Sequence, residues 1–241
     1  MGLLDKFKRQ TNAPDTTADN TSPAKVDLVK RVNLAKEEVQ KICITKAPLN
    51  GLKASVGLVL DFSGSMDALY RNGTMQALIE KILPLAMTFD DNGEMETWLF
   101  SNDCHRLPDI SLRNLDGYIE RETTKYRMGG TYYAPAIKDV TKTYKDKMPA
   151  YVLFLTDGEN SDKNDTDNAI IKASKLPIFW QFVGVGRAEF NYLRKLDDMT
   201  DRYVDNADFF SVNRIENITY DQLLNEFPEW LANEKVKKMI K

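Results

Sequence analysis

The sequence predicts an α/β protein built on a mostly parallel sheet with helices on both faces. Three observations predict it. Strand-like apolar runs alternate along the chain with stretches of helical period. The central runs, Ala54 to Leu60, Tyr151 to Leu155 and Pro177 to Val183, are apolar at nearly every position, the pattern of strands covered on both faces. At 241 residues, 42% of them hydrophobic, the chain has enough apolar material for a three-layer core.

The elements follow in order. Residues 11–25 are small and polar and bury too little surface to offset the entropy of ordering, so residues 1–25 read as a flexible tail and 26–241 as a single domain. Within that tail Leu3, Leu4 and Phe7, set among Lys6, Lys8 and Arg9, form one amphipathic turn, the only place where membrane contact is expected. From Val26 apolar residues recur at helical spacing until Pro48, Asn50 and Gly51 break the pattern. Ala54 to Leu60 is a strand, Met75 to Phe89 a helix, and Met95 to Ser101 a strand. Asp91-Asn92-Gly93 follows a helix and so marks its C-terminus, not a hairpin. Leu112 to Arg121 and Tyr133 to Tyr144 read as helices, Tyr151 to Leu155 as a strand, Ala169 to Lys175 as a helix and Pro177 to Val183 as a strand. Phe190 to Leu196, a short strand from Asp208 to Val212 and a helix interrupted by Pro228 complete the chain.

Composition narrows the function. With 33 Lys+Arg against 36 Asp+Glu there is no overall polybasic character, and nucleic acid is not expected as a partner. Cys43 and Cys104 lie far apart and form no C-x-x-C, which indicates neither a disulfide framework nor a zinc site and fits the cytoplasm. The first residues lack the apolar core of a signal peptide, and Lys6 stands where an acylation signal at Gly2 would need a hydroxyl.

The chemistry concentrates where two apolar strands end in aspartate, Leu58-Val59-Leu60-Asp61 and Phe154-Leu155-Thr156-Asp157. In an open α/β sheet, ligands gather beyond the carboxyl ends of neighbouring strands at the point where successive crossovers leave in opposite directions. Asp61 and Asp157 meeting there would repel, and a divalent cation is the simplest remedy. Ser63 and Ser65 lie on the loop after the first aspartate, and Gly129-Gly130 brings the hydroxyl of Thr131 to the start of a helix. Two carboxylates and three hydroxyls, with no imidazole or thiolate, suit a hard ion such as Mg²⁺, with Ca²⁺ or Mn²⁺ as substitutes. Taken singly, Ser63 or Ser65 reads as a helix cap and each glycine pair as a turn. It is their joint order along the chain that points to a metal.

Asp61-Phe62-Ser63-Gly64-Ser65, Gly130-Thr131 and Thr156-Asp157-Gly158 resemble the three-part metal-ion-dependent adhesion site (MIDAS) of von Willebrand factor A (VWA) domains, with all five motif positions matched. The resemblance spans roughly residues 54–212. It implies a Rossmann-like, doubly wound fold with six strands in the order 3-2-1-4-5-6. It also implies that Ser63 and Ser65 bind the cation directly, Thr131 directly or through water, and Asp61 and Asp157 mainly through water. The remaining coordination place would take an Asp or Glu carboxylate of another protein. Downstream, Phe182-Val183-Gly184-Val185-Gly186, Leu193 to Asp198 and Val204 to Phe210 are similar to bacterial A-domain proteins of tellurite-resistance (Ter) systems, which implies a stress-response assembly and no catalysis. Met66, Asp67, Met128, Tyr132 and Tyr133 flank the motif and are the expected partner-contacting residues.

Other chemistries fit less well. A Mg²⁺-dependent phosphoesterase using Asp61 is the alternative, but it would want D-x-D where Ser63 stands. A serine hydrolase lacks its G-x-S-x-G, and the only histidine, His105, neighbours Cys104 in a strand where adjacent side chains face opposite ways. Gly184-x-Gly186 lacks the third glycine of a nucleotide site and reads as a tight turn. Asp162 to Asp167 reads as a solvated loop with a degenerate EF-hand pattern.

Overall fold

The computed structural model describes residues 23–146 and 148–240. Most of the expected tail, with its amphipathic turn and Gly2, lies outside the described residues. The first helix, α1 (Pro23–Thr45), starts within the last three residues expected to be tether. Strand β1 (Ser55–Asp61) follows, then α2 (Asp67–Arg71), α3 (Thr74–Phe89), β2 (Met95–Phe100) and β3 (Cys104–Ile110). The second half runs α4 (Tyr118–Thr123), α5 (Ala134–Tyr144), β4 (Ala150–Thr156), α6 (Lys163–Ala173), β5 (Ile178–Val185), α7 (Asn191–Asp197) and β6 (Ala207–Val212). Three short helices, α8 (Tyr220–Leu223), α9 (Phe227–Ala232) and α10 (Glu234–Met239), close it.

The six strands form one sheet in the order β3-β2-β1-β4-β5-β6, parallel throughout except for the antiparallel β2–β3 pair. Alternate residues of each central strand enter two different cores, as the two-residue period of a strand requires. Leu58 and Leu60 of β1, and Tyr151, Leu153 and Leu155 of β4, pack in the core under α1 and α3. Val59, Val152, Phe154, Trp180 and Phe182 pack with Ile137 and Val140 of α5 and Ile170 of α6 on the opposite face. Burial on both faces is why these runs carry no polar alternation. Trp98, Phe100, Phe154, Trp180 and Phe182, expected in the core, are fully buried.

Several elements depart from the pattern reading. The strand β3 is half exposed and carries Pro108; a sheet edge tolerates both, because one side of its backbone needs no partner. Leu112 to Arg121 is a turn followed by a helix only from Tyr118. Asp162 to Asp167 is not a solvated loop: α6 begins at Lys163, and Asp162 spends both carboxylate oxygens on the Tyr133 and Ala134 amides at the start of α5. Pro228 sits in the first turn of α9 and starts a helix instead of interrupting one. Gly184 lies within β5, where a Cβ would come 2.9 Å from the Phe190 ring, so its small size serves packing and not a phosphate.

Candidate functional site

Strand order reverses between β1 and β4, the topological switch point of the sheet. Their register aligns Leu60 with Leu155, so both strands deliver their terminal carboxylates to the same edge. Asp61, wholly buried, is held on both oxygens: the Ser63 amide donates to Oδ1 at 2.7 Å and the Thr156 hydroxyl to Oδ2 at 2.6 Å. The chain then turns through a single 3₁₀ turn, Gly64–Met66. Ser63 precedes that turn, yet its hydroxyl caps nothing; it lies 3.1 Å from Ser65 Oγ, which donates to Asp157 Oδ1 at 2.8 Å. Asp61, Ser63, Ser65 and Asp157 thus form one continuous chain of contacts across two loops.

The third loop is brought in by its backbone. Ser63 and Gly129 form an isolated parallel bridge, in which the Gly64 amide donates to Gly129 O at 3.1 Å and the Gly129 amide to Phe62 O at 3.2 Å. Two residues on, the Thr131 carbonyl accepts from the Ser161 amide at 2.8 Å, which seats the half-buried Thr131 between the loops after β1 and β4. The Gly130 amide donates to Asn102 Oδ1 at 2.5 Å. A Cβ on Gly129 would stand 2.7 Å from that same oxygen, so a side chain there would push Asn102 off the Gly130 amide.

The carboxylates are electrostatically uncomfortable. Burial pushes Asp61 up from 3.8 to about 6, against its hydrogen bonds from Thr156 and Ser63 and with a smaller push from Asp157. Burial raises Asp157 as well, against its bond from Ser65. The two carboxylates and the Ser63 and Ser65 hydroxyls make an all-oxygen set that could hold a hard divalent ion, and a cation there would relieve the charge that burial penalises; Thr131 is brought alongside through its backbone. Among the described residues no cluster of three or more His, Cys, Asp or Glu side chains offers a rival metal site.

The expected partner rim divides. Tyr132 is 38% exposed and Asp67 and Met128 are part-exposed, so these three reach the edge, although Asp67 is paired with Arg71. Met66 and Tyr133 are fully buried and cannot touch a partner as placed. Met66 turns inward from the 3₁₀ turn into the core. Tyr133 instead braces the site from beneath: its hydroxyl donates to Gly158 O at 2.5 Å and lies 3.2 Å from Thr156 Oγ1. Supports with no signal in the sequence include Asn102 behind the glycines and Tyr70, whose hydroxyl donates to the Asp61 carbonyl at 2.8 Å. Thr156, present in the third motif segment, takes the further role of holding Asp61.

The rival centres dissolve. Burial, then Asp139, pushes the Cys104 thiol up to about 12, and burial pushes Cys43 up to about 11, so neither supplies a thiolate at neutral pH. His105 stacks on Tyr126 with ring centroids 4.5 Å apart.

A six-stranded sheet in this order, one antiparallel edge strand and a loop cluster at the β1/β4 switch point define a VWA fold. The chain belongs to the vWA-TerF-like family, the vWA found in the TerF C terminus, which it matches over residues 53–240. It is 38% identical over 222 residues to the uncharacterized protein YcbR of Bacillus subtilis (strain 168), covering 87% of this chain and 90% of YcbR. Among solved structures it is similar in fold to the SpRpn10 VWA domain, at 13% identity and a TM-score of 0.52, over 73% of this chain and 95% of that one. It is likewise similar to proximal thread matrix protein 1 from the mussel byssus with a zinc-occupied MIDAS motif, at 16% identity and a TM-score of 0.51. That match covers 75% of this chain and 46% of the mussel chain, so the chain spans less than half of that protein.

Proposed function

We propose that this chain is a non-enzymatic, Mg²⁺-dependent protein-binding module that docks an Asp or Glu carboxylate of a partner at the β1/β4 edge, within a cytoplasmic Ter-like stress assembly. Ser63, Ser65 and Thr131 would hold the cation through hydroxyls, with Asp61 and Asp157 behind them. Ca²⁺ or Mn²⁺ would substitute for Mg²⁺. The bound ion supplies an electrophilic point for an incoming carboxylate, undiminished because most of its protein ligands are neutral. This chain's own part is preorganisation: Asn102 and Gly129 seat the Thr131 loop, Thr156 and the Ser63 amide hold Asp61, and Tyr132, Asp67 and Met128 offer rim contacts.

The single observation that carries the reading is the contact chain Asp61–Ser63–Ser65–Asp157, in which the Ser63 hydroxyl forgoes the cap its position offers. Family membership supports the Ter context, and the zinc-occupied motif of the mussel protein supports a divalent ion. The complete burial of Asp61 weighs against the phosphoesterase alternative, which needs that carboxylate at the substrate. Affinity capture from the native cell tests the reading, with the wild type and Asp61→Ala as bait, with and without EDTA. Partners retained by the wild type in Mg²⁺ and lost with EDTA or in the variant support it. Partners indifferent to both, or Mg²⁺-dependent turnover of p-nitrophenyl phosphate that Asp61→Asn abolishes, would overturn it.

A further inference from the structure

On the helical face remote from α1, the helices α5 and α6 run side by side and leave between them a groove of about 730 Å³. Its walls are basic. Lys138 and Lys142 of α5 and Lys145 at its C-terminal cap recur four and three residues apart, which puts them on one face, and Lys172 of α6 faces them. Among the described residues Lys138, Lys142 and Lys172 have no acidic partner, and Lys145 has only a 3.6 Å pair with Asp146. Asp165 is the one acidic side chain lining the groove. This concentration stands out on a chain whose net charge is -3. The floor between the lysines is apolar and includes Ala169 and Leu176.

We infer that this groove is a second docking surface, one that takes an acidic, leucine-bearing segment of another protein. Four ammonium groups call for carboxylates, and the apolar floor for an inserted aliphatic side chain. A flat bilayer or a duplex would contact the lysine rim and leave the floor unfilled. The chain's own first 22 residues match the groove poorly, because Asp5, Asp15 and Asp19 are balanced by Lys6, Lys8 and Arg9. The groove starts about one turn into α5 and lies outside the β1/β4 loop cluster, so docking there needs no cation.

The test is fluorescence anisotropy on the full chain in EDTA, with a short labelled peptide of glutamates interspersed with leucines as the probe. The groove predicts saturable binding that weakens as NaCl rises from about 50 to about 500 mM. It predicts about a tenfold or greater loss in Lys142→Glu/Lys172→Glu, whose side chains are exposed and whose circular dichroism spectrum should match the wild type. Asp61→Ala should bind the probe like the wild type, which separates this surface from the metal edge. No saturable binding at low salt, equal binding of the glutamine-for-glutamate peptide, or full binding by the double variant would overturn the inference. Tighter binding of duplex DNA or phosphatidylserine vesicles than of the peptide, lost in the same variant, would overturn the assigned occupant.

Discussion

Replacing Asp61 by asparagine removes a charge that the protein buries at a cost. The folded carboxyl is pushed from 3.8 to about 6, and two units correspond to about 3 kcal/mol against the ionised folded state. Because the folded value is the raised one, the penalty is nearly absent at pH 4, builds as pH rises towards 6 and is constant above that. The amide fits the site. Its oxygen keeps the Ser63 amide, while its NH₂ faces Thr156 Oγ1, whose own proton can turn to Gly158 O, now 3.4 Å away. At roughly 2–4 °C per kcal/mol for a chain of this size, Asp61→Asn in EDTA at pH 7.5 should melt up to roughly 6–12 °C above wild type, and within about 2 °C of it at pH 4. Mg²⁺ at about a thousand times its Kd should reverse the order, because a ligand at that excess stabilises the wild type by about 4.1 kcal/mol, more than the penalty, and leaves the variant unmoved. Scanning calorimetry over pH, with and without Mg²⁺, reads all three. A variant less stable than wild type in EDTA at pH 7.5, or a gap equal at pH 4 and 7.5, would mean that the buried Asp61 charge is not destabilising.

Other consequences are as specific. Gly129→Ala sets a Cβ 2.7 Å from Asn102 Oδ1, so Mg²⁺ affinity by titration calorimetry should fall about tenfold or more while the circular dichroism stays native. Tyr133→Phe removes the short hydrogen bond to the Gly158 carbonyl, leaving it the 3.4 Å contact with Thr156 Oγ1, and should cost about 1 kcal/mol in urea unfolding, with a smaller loss of Mg²⁺ affinity than Asp61→Ala. Away from the site, burial and then the neighbouring Asp208, Asp198 and Asp205 push Asp197 up to about 7, against Arg202. Its folded value is also the raised one, so stability is lost as pH rises towards 7. Asp197→Asn should therefore melt a few degrees above wild type at pH 8 and close to it at pH 4.

What could be read from residues alone follows burial and direction. The strands β1, β4 and β5 were legible because double-sided burial leaves an apolar run with nothing to imitate it. Edge strand β3 has one free backbone side and sets buried Leu107 and Ile110 among exposed Arg106 and Pro108 and half-buried Asp109, a pattern that loops also show. The acid-rich start of α6 resembles a loop because the first turn of a helix favours the same residues as a turn. At the site, three motif segments were recognisable by residue type and order. The inward turn of Met66 and Tyr133 was not, because adjacency to a motif does not say which way a side chain points. Asn102 reaches across 28 residues to Gly130, and no local pattern records such a contact.

The most direct measurement is a crystal structure of the chain grown with Mn²⁺, with anomalous data collected at the manganese edge. One strong peak is expected at the β1/β4 edge, within about 2.0–2.3 Å of Ser63 Oγ and Ser65 Oγ, with at least one coordination position open to solvent or to an acid from a neighbour. Manganese bound only elsewhere, or an edge without anomalous signal at saturating Mn²⁺, would contradict that expectation.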